Sequence, residues 1–131
     1  MHSPLISFHS SAFRAVPGED QNTHPGVFGH ALAVWLADEL EDHGLVTRGV
    51  ISEDFGWCIP IVTSQHRTYV ACASADDSCT AWKVFVFSEG GLLARLVGRD
   101  SRSRNIDTTF SKVSTVLARS PSVRGLAVTP T

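Results

Sequence analysis

The sequence predicts an α+β fold: a two-layer sandwich in which a mainly antiparallel sheet of five to six strands carries two amphipathic helices on one face. Three observations predict it. The elements read in the order strand, helix, several strands in succession, helix, strand. Strands that follow one another through short turns pair antiparallel. Two helices with one apolar stripe each need a sheet face to cover. At 131 residues the chain is long enough for one core and too short for two, so a single domain over 1–131 is expected.

Leu5-Ile6-Ser7-Phe8-His9 reads as the first strand, and Pro17-Gly18-Glu19-Asp20-Gln21-Asn22 as a loop of turn formers. A helix follows, with Thr23 as N-cap, Pro25 near its first position and Gly44 as its stop. Within it Phe28, Leu32, Trp35, Leu36 and Leu40 recur at spacings of three and four, one stripe on a helix. Val46 to Ser52 and Gly56 to Thr63 read as strands separated by Glu53-Asp54-Phe55, and Pro60 predicts an edge position or a bulge in the second.

Thr68 to Ala75 and Thr80 to Ser88 form a pair joined at Asp76-Asp77-Ser78. On the second of these strands Trp82, Val84 and Val86 point one way and Lys83, Phe85 and Phe87 the other, which predicts a central strand covered on both sides. Leu92 to Val97 fits a short helix or another strand, and Gly98 to Asn105 is polar enough to predict a mobile loop. Asp107 or Thr108 then caps a second helix, with Phe110, Val113, Val116 and Leu117 on one face, that ends before Pro121. Val123 to Val128 reads as the final strand.

Hydrophobic residues make up 43% of the chain and charged residues 18%, which places it among globular rather than disordered sequences. The longest apolar runs, Ala31 to Ala37 and Val84 to Phe87, fall far short of the roughly 20 residues that cross a bilayer, so no membrane span is expected. The first residues carry no Lys or Arg and no sustained apolar run, which argues against a secretory leader and for the cytoplasm. Three cysteines, an odd number, point to reduced thiols; a Cys72–Cys79 bridge across the Asp76-Asp77-Ser78 turn is the alternative. Charge is uneven: residues 1–65 hold two bases against eight acids, and residues 66–131 nine bases against five acids. In a compact domain such halves attract one another.

Motifs that carry chemistry are scarce. His24, His30, Glu39 and His43 offer metal-ligand types, but His24 and His30 are six apart and neither His-x-x-x-His nor Cys-x-x-Cys occurs, so no metal site is predicted. Cys58 and Cys72, with His66 between them, lie in apolar strand patterns where cysteine packs as a small hydrophobe. No Gly-x-Ser-x-Gly elbow and no phosphate-loop signature is present, and no cofactor is expected. Arg95, Arg99, Arg102 and Arg104 form the one basic run; with a net charge of −2 it reads as a solvated loop rather than a nucleic-acid surface.

Two acidic groups stand out instead. Asp38, Glu39, Glu41 and Asp42 crowd the C-terminal end of the first helix, where the macrodipole favours cations. Glu53 and Asp54 lead the Glu53-Asp54-Phe55-Gly56-Trp57 segment, an acid pair beside two aromatics. Its structural reading is a turn whose Phe55 and Trp57 anchor in the core.

The helix Phe28-Gly29-His30-Ala31-Leu32-Ala33-Val34-Trp35-Leu36-Ala37, followed by Glu53-Asp54-Phe55-Gly56-Trp57 and by Gly91-Leu92-Leu93-Ala94-Arg95-Leu96, resembles a group of small uncharacterised bacterial proteins. The resemblance covers most of the chain and implies no activity. Its pattern often has Trp where Phe55 stands here, and its motifs consist of folding residues.

With no convergent acid, base, nucleophile or metal set, the reading favours binding over catalysis. The expectation is a module that docks on another protein, as immunity proteins, inhibitors and adaptors do, through Asp38, Glu39, Glu41, Asp42, Glu53 and Asp54. The alternative is a small-molecule or catalytic pocket between helix and sheet, lined by Trp35, Trp57 and Trp82.

Overall fold

The computed structural model describes residues 1–63, 67–89 and 99–130, with residues 99–102 described in backbone only. Six strands form one sheet: β1 (Leu5–His9), β2 (Ile51–Glu53), β3 (Gly56–Ile61), β4 (Arg67–Ser74), β5 (Ala81–Glu89) and β6 (Arg124–Thr129), in the order β2-β3-β4-β5-β1-β6. Every pairing is antiparallel. Helices α1 (His30–Asp42) and α2 (Arg99–Arg119) pack against this sheet, giving the expected α+β arrangement.

The core lies between the helices and one sheet face. Leu32, Leu36 and Leu40 of α1 and Ile106, Val113, Val116 and Leu117 of α2 meet Ile6, Phe8, Trp57, Ile59, Val70, Trp82, Val84 and Val86 from the strands. Each fully buried leucine or valine contributes about 2 kcal/mol of transfer free energy. The alternation on β5 is as read from the sequence, Trp82, Val84 and Val86 being buried and Lys83, Phe85 and Phe87 half-buried. β5 is central, between β4 and β1. Among the described residues both helices lie on the Trp82 side, and none of Lys83, Phe85 and Phe87 joins the core.

α1 starts seven residues after Thr23. The Thr23 hydroxyl donates to the Val27 carbonyl at 2.7 Å and so closes a turn instead of capping a helix. Phe28 is held to β4, its amide donating to Ser74 Oγ at 3.0 Å and its carbonyl accepting the Ser74 amide at 2.7 Å. Gly29 then sits at φ +151°, where a Cβ would come within 2.8 Å of the Cys72 carbonyl oxygen, and only after it does the helix begin. The cap comes from elsewhere: Glu19, in a 3-10 turn over Glu19–Gln21, accepts the His30 amide on Oε2 at 3.1 Å.

α2 starts earlier than Asp107 or Thr108 predicts. The stretch from Arg99 is helical, because Ile106 extends the stripe of Phe110, Val113 and Leu117 by one turn and packing outweighs the weak helix preference of Ser, Asn and Asp. β2 is shorter than Val46 to Ser52; upstream of it the chain keeps single bonds to β3, Arg48 N–H to Pro60 O and Val62 N–H to Val46 O, both at 2.9 Å. Pro60 stands beyond the last β2–β3 partner, Cys58, where its missing N–H removes no rung of that ladder. Leu92 to Val97 lies outside the described residues.

Candidate functional site

The six acids singled out by the sequence do not share one surface. Asp38, Glu39, Glu41 and Asp42 occupy the last turns of α1. Glu53 and Asp54 sit at the β2–β3 turn beside the start of that helix: the Asp54 carbonyl accepts the His24 amide at 3.0 Å, and Gly56 packs on the same Cys72 carbonyl as Gly29. At a rise of about 1.5 Å per residue the two groups are on the order of 15 Å apart along α1.

Asp38 and Glu41 line a groove of about 420 Å³ between α1 and residues 47–50, together with His30 and Val34. Glu41 Oε1 accepts the Thr47 hydroxyl at 2.8 Å. Glu39 faces another groove, of about 210 Å³, shared with Trp35, His43 and Arg119. Among the described residues no base lies within ion-pair distance of any of the four acids. The helix end has a cation of its own, since Lys112 Nζ donates to the His43 carbonyl at 2.7 Å and offsets the negative pole there.

The three tryptophans are packing residues. Trp82 is buried, with Nε1 donating to the Ser10 carbonyl at 3.0 Å, and Phe13 lies 5.2 Å from Trp35 and 6.1 Å from Trp82 between ring centroids. Trp57 meets His30 edge-on at 4.6 Å, and its buried Nε1 has no hydrogen-bond partner. Of the grooves described above, the one at Glu39 is lined by Trp35.

All three cysteines are free. Burial, aided by Glu53 and Glu89, pushes the Cys58 thiol up to about 12. Burial also raises Cys72, with Cys58 adding to it, and raises Cys79, with Glu19, Asp76 and Asp77 adding to it. Each thiol is protonated at neutral pH, the inert state for a nucleophile. His66 lies outside the described residues, as do Arg95 and the side chains of Arg99 and Arg102.

The feature that sequence reasoning missed is the face of the sheet opposite the helices. Phe55 does not anchor in the core; it folds from the β2–β3 turn across this face and is 46% exposed. Its ring lies 5.7 Å from Phe87 in an edge contact and 6.2 Å from Phe85, and Phe85 and Phe87 are 5.9 Å apart. Tyr69 stacks on Phe87 at 5.1 Å with 18° between planes. The register explains the arrangement: Cys58, Ala71 and Phe85 form one row across β3, β4 and β5, so small side chains lie in the path Phe55 takes to reach β5. Cys58 and Ala71 are buried to 0% and 2% exposure without joining the core. Glu53 shares this face at its β2 rim, two residues along from Ile51, whose partner is Cys58.

The signal for this face was present in the sequence. Two helices on one side of a six-stranded sheet cover only that side, and Phe85 and Phe87 alternate with residues that the core requires. Antiparallel sheets usually place polar side chains on their solvated face; Tyr69, Phe85 and Phe87 break that rule.

Among the described residues no group of three or more His, Cys, Asp or Glu side chains is placed to hold a metal ion, and no helix is long and apolar enough to cross a membrane. Compared with known proteins, the chain matches no family model, no curated protein and no solved structure.

Proposed function

We propose that this chain is a protein-binding module of the cytoplasm, of the immunity, inhibitor or adaptor kind, and that it acts by docking rather than by catalysis. The observation that carries the reading is the aromatic cluster of Phe55, Tyr69, Phe85 and Phe87 on the sheet face opposite the helices. A contiguous apolar patch rimmed by polar residues is the signature of a protein interface, and aromatic side chains dominate the energetics of such contacts. Glu53 belongs to its rim, and Asp54 follows it in the β2–β3 turn.

The acids of α1 support a second contact. Asp38, Glu39 and Asp42 are unpaired among the described residues, and Asp38 and Glu39 line grooves on the helical side, so a basic partner element would gain charge complementarity there.

The test is affinity capture from the native host with the intact chain and two variants. Phe55→Asp is expected to lose the captured protein, and Asp38→Asn/Asp42→Asn to retain it with weaker, less salt-sensitive binding. Capture unaffected by Phe55→Asp but abolished by the acid variant moves the docking surface to α1. A metabolite or metal that raises the melting temperature by several degrees, with no captured protein, replaces docking with the small-molecule alternative.

A further inference from the structure

We infer that the sheet face opposite the helices takes a second copy of this chain, packed face to face about a two-fold axis. The inference rests on the reading that this face is a docking surface and identifies its occupant.

Charge order along β5 is the first argument. The side chains it presents to this face are Lys83, Phe85, Phe87 and Glu89, spaced evenly about Val86. A two-fold axis that lies in the plane between two sheets and crosses β5 at Val86 runs the two β5 strands antiparallel. It sets Lys83 of each copy against Glu89 of the other, and Phe85 against Phe87. Isologous interfaces require this self-complementarity, in which i meets j and j meets i. Among the described residues neither the Lys83 ammonium nor the Glu89 carboxylate has a hydrogen bond or ion pair within the chain. Arg67, the cross-strand partner of Glu89, stands near enough to share it.

Dimensions are the second argument. Five inter-strand gaps of about 4.8 Å and a longest strand of about 30 Å make a face on the order of 700 Å². A stable interface needs about 800 Å² of accessible surface per partner, so a dimer of this kind uses the whole face together with Phe55 and the charged rim. Aligned packing of two twisted sheets at about 30° is a standard arrangement and keeps the β5 crossing central. It turns both helical layers outward, so the α1 acids of both copies stay accessible.

Sedimentation velocity of the intact chain from micromolar to millimolar concentration tests the inference. The expected result is a monomer–dimer equilibrium that Phe55→Asp abolishes while far-ultraviolet circular dichroism stays native. Lys83→Glu or Glu89→Lys alone is expected to raise the dimer Kd at least about tenfold, because each breaks two pairs. The Lys83→Glu/Glu89→Lys double variant restores it, because the pairs re-form with signs exchanged. A chain that stays monomeric at millimolar concentration overturns the second copy, as does a dimer indifferent to Phe55→Asp and to both charge reversals. If the monomeric chain still captures another protein in a Phe55-dependent way, docking at this face stands and only its occupant changes. If capture is indifferent to Phe55, both readings fall.

Discussion

The carboxylate of Glu19 caps the backbone amide of His30: Oε2 accepts that N–H at 3.1 Å while Oε1 accepts the Val16 N–H at 2.7 Å. An acid eleven residues upstream thus satisfies an orphan donor at the start of α1 and puts negative charge at the positive end of its dipole. It also ties the loop before α1 to the helix whose Leu32, Leu36 and Leu40 enter the core.

Glu19→Ala is therefore expected to destabilise the fold by about 1–2 kcal/mol, the usual cost of a lost cap, and Glu19→Gln by less, since one amide oxygen can still accept. Urea unfolding at neutral pH measures both. A change within experimental error for the alanine variant removes Glu19 from the account of how α1 starts.

Gly29 and Gly56 press on one atom. A Cβ at Gly29 would stand 2.8 Å from the Cys72 carbonyl oxygen and one at Gly56 2.5 Å from it, with backbones at φ +151° and +152°. Each alanine substitution is expected to cost more than about 2 kcal/mol, from strain and from displacement of the β4 backbone. Gly49→Ala, at φ +73° in open space, isolates the conformational part at about 1 kcal/mol. Because both glycines push the same carbonyl, the double variant is expected to cost less than the two single changes added together.

Much of this fold was legible because it is written in periodicity. β1, β3, β4, β5 and β6 fall within two residues of the runs that alternation marks, and the Leu32, Leu36 and Leu40 stripe is buried along α1. The start of α1 was not legible, since Gly29 is placed by its approach to Cys72, far away in sequence, and the cap comes from Glu19, eleven residues upstream, instead of from Thr23. The candidate site was half legible. Its acids were found because charge stands out in a sequence, whereas Phe55, Phe85 and Phe87 looked like core until the placement of the helices showed which face they pack on.

The buried thiols make stability fall on the alkaline side. Folding holds Cys58 at about 12 against an ordinary 9.0, and Cys72 is raised in the same direction. Between those values the folded chain keeps a proton that the unfolded chain has released, so unfolding free energy drops by up to about 1.4 kcal/mol per pH unit for each thiol. The contribution is fully present below pH 9 and is lost as pH rises toward 12. Urea titrations at pH 7, 9 and 10 are expected to show this decline, and a Cys58→Ala/Cys72→Ala variant to show a shallower one from a lower starting stability. An equal slope in both proteins assigns the alkaline loss to other groups.

The acids of α1 separate stability from binding most cleanly at Asp42, which is exposed and lies in the last turn of the helix. Lys112 already supplies the cation that this helix end favours, so Asp42 adds only repulsion against the carbonyl pole and against Asp38 and Glu39. Asp42→Asn is expected to raise stability by about 0.3 kcal/mol at low salt, an effect that fades as ionic strength rises. Glu41→Gln is expected to be neutral, because an amide oxygen can still accept the Thr47 hydroxyl that Glu41 Oε1 accepts at 2.8 Å. If the helical side meets a basic partner, the same pair of changes slows association and lowers its salt sensitivity, opposite in sign to the effect on the isolated fold. Thermal unfolding at two salt concentrations, set beside association rates measured with the captured partner, reads both. A loss of stability in Asp42→Asn with association unchanged makes this carboxylate part of the folding electrostatics and leaves the docking role to the sheet face alone.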